Sequence, residues 1–447
     1  MQLSLHQLDI SNAFLNGDLD EEIYMKLPPG YAELQGEIFS PNVVCRLHKS
    51  IYGLKQASRQ WFLKFKTTLV GFGFETCHGD HTLFVKEANG HFLVVLVYVD
   101  DILIATTDAT MAYHLRDQLS SVFQLRDLGP PKYFLGIEIA RNDERFCLTQ
   151  RKYVLDLLET TRFSDCKPSA VPMKPDQQMS FTSFSRRKKK KMVKQDFEGD
   201  EDYIIELAKP TDPTLELLTD TKQYRRLIGK LQYLTITRPN ISFAVSKVAQ
   251  YSSAPRKFHL QAAHKVLRYL KGTIGQGLFY GKDDYFSLRG FSDADWGACP
   301  DNRRSVTGYA IFIGQSLVSW RSKKQDMVSM SSAESEYRAM SVITKELLWF
   351  TYLLKALRVP FSLPVYLYCD NQATLYIASN SIYHERTKHI EFDCHKVREA
   401  IEDGVLKTMF VRTDNQLADI LTKTLHLTPF RNNIGKMGVI NIYSSPS

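Results

Sequence analysis

The chain has 447 residues, 44% of them hydrophobic and 24% charged, with a formal net charge of +8. That length is enough for about two to four cores, and the positive balance favours a polyanionic partner. Seven cysteines without CxxC spacing argue against a disulfide framework or a zinc site and for a reducing, intracellular setting; no secretory leader opens the chain, and the longest apolar run, Phe92 to Val99, is far too short to cross a bilayer.

Leu3 to Asp9 alternates apolar and polar residues and reads as a strand ending at Asp9. A basic stretch follows, Lys49-Ser50-Ile51-Tyr52-Gly53-Leu54-Lys55-Gln56-Ala57-Ser58-Arg59-Gln60-Trp61. A glycine that lets a backbone come close, with cations and an amide beside it, suits a phosphate-rich groove. From His91 to Ala105, β-branched apolar residues lead to Asp100 and Asp101 and a second apolar run leaves them. This predicts two short strands joined by a tight turn with both carboxylates at the tip. Neighbouring carboxylates beside an apolar core repel each other, and divalent cations relieve that cost.

Met111 to Phe123 has helical spacing, with Asp108 or Thr110 as its cap, and Tyr133 to Ile139 reads as a strand with Gly136 inside it. Between Pro168 and Leu218 prolines punctuate a basic block, Arg186 to Lys191, and an acidic one, Asp196 to Asp202, which predicts a disordered charged linker. The basic block reads as a solvated run, with a nuclear-import signal or a nucleic-acid tether as the alternatives. A helix over Asp220 to Leu234, capped by Asp220, puts Arg225, Gly229 and Tyr233 on one face, which suits contact with a duplex minor groove. A second basic helix runs from Phe258 to Lys271.

From about Phe286 the pattern changes. Ser287 to Ser292 reads as a strand capped by Asp293-Ala294-Asp295-Trp296-Gly297, and a hairpin turns at Gly314-Gln315. A helix opening at Ser331 carries Glu336 at the edge of an apolar face made by Ala339, Met340, Ile343 and Leu347. Val365 to Asn371 is a strand ending at Asp370, and Gln416 to Lys423 is a closing helix that carries Asp419.

In this order, LDISNAFLNGDLDEEIYMKLPPG, KSIYGLKQASRQW and YVDDILIA resemble the reverse transcriptase of copia-type LTR retrotransposon Pol polyproteins (Pseudoviridae-like). DADWG, RRSVTGY, SWRSKKQ, SSAESEY, CDNQA, ERTKHIEFDCH and QLAD are similar to its ribonuclease H portion. The resemblance covers nearly the whole chain except the linker and the tail. It implies the fold class, an α+β polymerase palm/thumb followed by an α/β ribonuclease H-like domain with a mixed central sheet. It implies domains at 1–167 (palm, with incomplete fingers), 168–218 (linker), 219–285 (thumb/connection helices), 286–426 (ribonuclease H-like) and 427–447 (tail).

Residue by residue, the resemblance implies metal-binding catalytic carboxylates at Asp9, Asp100 and Asp101 in the palm, and at Asp293, Glu336, Asp370 and Asp419 in the second domain. Asp295 and Glu334 are the nearest competitors for the latter set. Phe14 would exclude a ribose 2′-hydroxyl. Gly53, Lys55, Gln56 and Arg59 would line the nucleotide and template site, with Tyr98 at the catalytic tip. Leu135 and Gly136 would grip the primer, and Arg225, Gly229 and Tyr233 would track the duplex. His384, His389 and His395 are read as orienting substrate or product or as structural, ahead of zinc. Cofactors are two Mg²⁺ per active site, with Mn²⁺ as an alternative. Partners are an RNA template, a DNA primer, RNA–DNA hybrid and dNTPs, with no membrane. The setting is the cytoplasmic virus-like particle and the nucleus.

The expected function is RNA-directed DNA synthesis and hydrolysis of RNA in hybrids. The alternative is an inactive retroelement remnant that only binds nucleic acid. Only eight residues precede Asp9. The family has basic fingers residues upstream, so the expectation is weak polymerisation by this chain beside an active ribonuclease H half.

Overall fold

The computed structural model describes residues 3–36, 38–40, 42–142, 145–175, 179–180, 216–281, 286–380, 391–441 and 443. The chain divides into two compact units, Met1–Leu135 with Thr351–Val359, and Gly136–Phe350 with Pro360–Ser447. Among the described residues no helix is long and apolar enough to cross a membrane.

The first unit is built on the predicted hairpin. Its strands are β1 (Ser4–Ile10), β2 (Asp18–Lys26), β3 (Val44–Lys49), β4 (Glu75–Thr76), β5 (Leu83–Ala88), β6 (His91–Tyr98), β7 (Asp101–Thr106) and β8 (Leu125–Gly129), and its helices are α1 (Ala57–Gly71) and α2 (Ala109–Ser120). The main sheet runs β4-β5-β6-β7-β1-β8, with β1 antiparallel to both β7 and β8. Trp61, Phe65 and Leu69 recur every four residues along α1, so one helical face meets Leu8, Val95, Ile102 and Ile104 in a single core. Of the two caps expected for α2, Asp108 serves: its carboxylate accepts the Thr110 N–H at 2.9 Å.

The second unit begins with β9 (Ile137–Arg141), β10 (Arg145–Thr149) and α3 (Arg151–Thr160), then α4 (Thr221–Leu234), α5 (Pro239–Ala249) and α6 (Lys257–Lys271). Asp220 caps α4 as expected, accepting the Gln223 N–H at 2.9 Å. Tyr224, Leu227, Ile228, Leu231 and Leu234 form its buried stripe. Then come β11 (Gln276–Gly281), β12 (Leu288–Asp295), β13 (Val306–Ile313), β14 (Ser316–Lys324), α7 (Ser332–Ala356), β15 (Val365–Cys369), α8 (Gln372–Ser379), α9 (Glu391–Glu402) and β16 (Leu406–Phe410). The sheet β14-β13-β12-β15-β16 is mixed: β13 pairs antiparallel with β12 and β14, whereas β12, β15 and β16 run parallel.

Four expectations need correction. Tyr133 to Ile139 is not one strand. A short strand, Tyr133–Phe134, and β9 are separated at Leu135 and Gly136, whose φ angles are 50° and 76°. Asp293 does not cap its strand, because β12 continues to Asp295. Asp419 is carried by a 3-10 turn, Leu417–Leu421, rather than a closing helix. The residues expected to form a tail make α10 (Leu427–Lys436) and β17 (Val439–Asn441), which pairs antiparallel with β11.

The ends of the expected linker are also packed. Met173 and Met179 are buried in the helical core, and the Leu218 N–H donates to the Pro255 carbonyl at 2.9 Å. The basic block Arg186–Lys191 lies outside the described residues. The stretches drawn as 219–285 and 286–426 share one buried cluster, which runs from Leu227, Leu231 and Val245 to Phe312, Leu317 and Leu421.

Candidate active sites

In the first unit Tyr98 and Asp101 face each other as the closing pair of the β6–β7 hairpin, leaving Val99 and Asp100 as its turn. Val99 has φ 56°, a left-handed conformation that a β-branched residue adopts only under constraint. Two donors supply it. The Trp61 indole N–H donates to the Val99 carbonyl at 2.7 Å, and the Ile10 N–H donates to the Asp100 carbonyl at 2.9 Å. Asp9 lies opposite Asp101 in the β1–β7 register, and the Gln7 amide donates to Asp101 Oδ1 at 3.4 Å. Burial first, then Asp100 and Asp9, raise the Asp101 carboxyl above its ordinary range, although Gln7 opposes them. The three expected carboxylates therefore meet at one strand end. They do not form one of the groups whose ligand atoms all lie within 4.8 Å of one another, which among the described residues occur only in the second unit.

Phe14 is half-buried against the Tyr52 ring, centroids 4.7 Å apart. Gly53 (φ 98°), Lys55 and Arg59 are exposed before and along the first turn of α1, and Gln56 is its half-buried N-cap residue. Tyr98 is exposed, as are Leu135 and Gly136. In the second unit Arg225 is held by the Ser252 carbonyl at 2.8 Å, and Tyr233 packs edge-on against Tyr153, centroids 4.8 Å apart. A Cβ on Gly136 would collide with the Tyr233 hydroxyl, which explains why that turn takes a glycine. Among the described residues a Cβ on Gly229 would meet nothing within 4 Å.

The second cluster is tighter. Asp293 comes from β12, Glu336 from the first turns of α7, Asp370 from the residue after β15, and Asp419 from the 3-10 turn. Ligand oxygens of Asp293, Asp370 and Asp419 all lie within 4.8 Å of one another, and so do those of Glu336 and Asp370 with the Cys369 sulfur. Gly308, opposite Asp293 in the sheet, lets the 3-10 turn approach: a Cβ there would meet Leu421 Cβ at 2.9 Å and the Ala418 carbonyl at 3.1 Å. The Gln416 amide pins that turn to the Ser292 carbonyl at 2.9 Å.

The electrostatics follow from this crowding. Burial raises the carboxyls of Asp293, Glu336 and Asp419; repulsion from Asp293 and then Asp370 adds to it at Glu336 and Asp419, whereas at Asp293 Lys423 and hydrogen bonds from Thr422 and Asp419 oppose it and only Asp370 adds; Glu336 is pushed up to about 9. Lys423 opposes the repulsion, its Nζ 2.8 Å from Asp419 Oδ1 and 3.9 Å from Asp293 Oδ2. Burial alone would lower the Lys423 ammonium, yet Asp293 and Asp419 outweigh it and hold it above its ordinary value. The Thr422 hydroxyl donates to Asp293 Oδ2, and the Thr413 hydroxyl donates to Asp370 Oδ2 at 3.1 Å.

The two competitors stand apart from this set. Glu334 is occupied, accepting the Met330 N–H at 2.7 Å and pairing with Arg338 at 2.9 Å. The Asp295 carboxyl is raised by burial and by Asp293 but joins neither close group. His395 sits 3.8 Å from Glu399 on α9, while His384 and His389 lie outside the described residues. Sequence reasoning missed Lys423, although it follows Asp419 by four residues. It also missed Trp61 as the support of the hairpin tip.

A palm-type sheet with an acidic hairpin, followed by a mixed sheet onto which four carboxylates converge, gives the fold class: an α+β palm joined to an α/β ribonuclease H-like domain. The family described as reverse transcriptase (RNA-dependent DNA polymerase) matches residues 1–175. The retrovirus-related Pol polyprotein from transposon RE1 of Arabidopsis thaliana is 39% identical over 438 residues, covering 98% of this chain and 28% of that protein. The corresponding polyprotein from transposon TNT 1-94 of Nicotiana tabacum is 35% identical over 434 residues, covering 96% and 30%. A solved foamy viral protease-reverse transcriptase in complex with RNA/DNA hybrid aligns with TM-score 0.48 at 11% identity, covering 92% of this chain and 44% of that one.

The chain belongs to the copia-like retrotransposon Pol polyproteins. It spans less than a third of the length of the curated relatives RE1 and TNT 1-94. Divalent-metal dependence goes with this family, and the acidic groups above are the candidate sites.

Proposed function

We propose that this chain is the RNA-directed DNA polymerase and RNA–DNA hybrid ribonuclease portion of a copia-type Pol polyprotein. The observation that carries the reading is the approach of the Asp293, Asp370 and Asp419 oxygens within 4.8 Å of one another, with Glu336 on Asp370. This oxygen-rich donor set suits Mg²⁺, with Mn²⁺ as the alternative. The raised carboxyls mark the cost of ionising this crowded, buried set, which Lys423 only partly offsets. When bound, two cations per site supply Lewis-acid stabilisation of the attacking and leaving oxygens. Asp293, Asp370 and Asp419 hold them from three elements, Glu336 adds a fourth carboxylate from α7, and Thr422 fixes the Asp293 carboxylate through its hydroxyl.

In the palm, Asp9, Asp100 and Asp101 hold the corresponding cations, Tyr98 flanks them, and Phe14 stands against the nucleotide sugar. Lys55, Gln56 and Arg59 face the dNTP and template with Gly53. Leu135 and Gly136 position the primer end, and Arg225, Gly229 and Tyr233 follow the duplex. Family membership supports an intracellular, particle-associated setting; a cytoplasmic particle with nuclear entry is the finer proposal.

Two reactions test the reading: cleavage of a labelled RNA–DNA hybrid and primer extension on an RNA template, each with Mg²⁺ and with EDTA. Metal-dependent cleavage that Asp293→Asn removes, and extension that Asp100→Asn removes, support the two sites. Tight hybrid binding without either reaction is the outcome expected of an inactive remnant.

A further inference from the structure

The turn of the β6–β7 hairpin is held through both of its carbonyls. The Ile10 N–H, one residue past Asp9, donates to the Asp100 carbonyl at 2.9 Å, and the Trp61 indole N–H donates to the Val99 carbonyl at 2.7 Å. The first bond ties the turn to the strand that carries Asp9. The second ties it to α1, 38 residues away in the chain. Val99 is the residue that needs a restraint, because its φ of 56° lies where a β-branched side chain crowds its own backbone.

Trp61 is itself firmly seated. It is 2% exposed, and its ring packs on Phe65, centroids 5.3 Å apart, and edge-on against Phe123 at 5.2 Å. Gly17 lets the backbone of α1 come close: a Cβ there would stand 3.0 Å from the Trp61 nitrogen and 3.1 Å from Gln60 Cβ. These contacts fix the ring, so its N–H has a fixed aim. A buried indole N–H needs an acceptor. That need alone does not select the carbonyl of the left-handed residue in the turn.

We propose that Trp61 is a positioning residue for the cations of the palm: its indole N–H holds Val99 in the left-handed conformation that sets Asp100 and Asp101 at the strand end facing Asp9. The inference rests on the reading of Asp9, Asp100 and Asp101 as metal-holding carboxylates. Asp9 stands opposite Asp101 in the β1–β7 register, so the spacing of the three depends on the shape of the turn. With both carbonyls of the turn bound by the scaffold, its carboxylates are left to the ions. Without the indole bond Val99 relaxes toward negative φ, the turn changes shape, and Asp100 and Asp101 lose their spacing to Asp9.

Two readouts on the full chain test it. Hydrogen exchange followed by mass spectrometry in EDTA reads the turn without metal. Trp61→Phe is expected to speed exchange in a peptide spanning Tyr98 to Asp101 about tenfold and to leave β5 unchanged. Mn²⁺ binding, followed by electron paramagnetic resonance in a background of Asp293→Asn with Asp419→Asn, reads the palm site. Trp61→Phe is expected to weaken it about tenfold. Val99→Gly adopts the positive φ without restraint, so in its presence the loss from Trp61→Phe should shrink to about twofold or less. A ring that only fills the core would lower Tm, leave both readouts of the folded protein unchanged and show no coupling to Val99→Gly. Benzothienylalanine at position 61 keeps the bicyclic ring without the N–H, and it takes the place of Trp61→Phe if that variant does not melt cooperatively. Unchanged exchange at the turn, or wild-type Mn²⁺ affinity in the folded variant, overturns the positioning role. Mn²⁺ binding that Asp101→Asn leaves untouched overturns the metal reading of the palm instead, while the exchange series still decides whether Trp61 holds the turn.

Discussion

Among the described residues Lys423 is the cation paired with the carboxylates of the second site, with its side chain 37% exposed. Removing it leaves Asp293 and Asp419 facing each other. Lys423→Gln should cost about 1–2 kcal/mol without metal, after allowance for its exposure, and lower Tm by a few degrees; adding Mg²⁺ should narrow the gap because bound cations then supply the counter-charge. Differential scanning calorimetry with and without Mg²⁺ checks this, and an equal loss in both conditions would contradict it.

His259 gives a pH dependence away from any metal. It is fully buried, stacked on Tyr251 with centroids 3.9 Å apart, and its Nδ1 accepts the Arg256 N–H at 3.0 Å. Burial first, then Arg256, pushes its pKa down to about 4 from an ordinary 6.5. As pH falls through 6.5 the unfolded chain takes up a proton that the folded chain refuses until about 4, so the stability from the neutral ring is lost across that window. Urea midpoints at pH 7 and pH 5 should show the fall, and His259→Phe should flatten it.

At the scale of elements, Gly308 shows how a missing side chain places a carboxylate of the proposed metal site. Gly308→Ala forces the Asp419 turn outward, because the obstacles include the Ala418 backbone carbonyl as well as the Thr422 and Leu421 side chains. A cost of about 1–3 kcal/mol in stability is expected. A shift of the turn by about 1 Å should lower hybrid cleavage up to ~100-fold. Cleavage rates and melting curves of the folded variant read both effects.

Elements whose cause is local were legible in the sequence. The β6–β7 hairpin follows from two apolar runs around Asp100 and Asp101, and α4 from the Asp220 cap and residues spaced four apart, Arg225, Gly229 and Tyr233. The four carboxylates proposed for the second site were picked by type and order through the family resemblance, and the fold brings Asp293, Asp370 and Asp419 together, with Glu336 beside Asp370. What the sequence hid depends on partners far along the chain. Tyr133 to Ile139 carries strand composition, and only the positive φ at Leu135 and Gly136 breaks it. β17 looked like a tail because its partner, β11, lies some 160 residues upstream. Asp293 looked like a strand end because a charge inside a buried strand is costly alone; the cluster that relieves it is assembled from β12, α7, β15 and the 3-10 turn. The support of Val99 by Trp61 likewise spans 38 residues.

For the whole molecule, the second unit has one core shared by the helices α4 to α6 and the ribonuclease H-like sheet. Phe312, Leu317 and Leu421 belong to the same buried cluster as Leu227, Leu231, Val245 and Leu267. A fragment beginning at residue 286 would expose that surface to water. It should show no cooperative thermal transition by circular dichroism, whereas a fragment beginning at residue 136 should melt in one step. A stable, cooperative fragment from residue 286 would show that the helices are dispensable.

The proposed hydrolysis of RNA paired to DNA requires Asp293, Glu336, Asp370 and Asp419 to act as one divalent-metal site. The most direct measurement is the initial rate of hybrid cleavage by the wild-type chain and by Asp293→Asn, in Mg²⁺ and in EDTA. The prediction is cleavage by the wild type in Mg²⁺ alone, lowered about 10³-fold or more by the substitution with the fold intact. Equal rates for the two proteins, or cleavage that persists in EDTA, would contradict it.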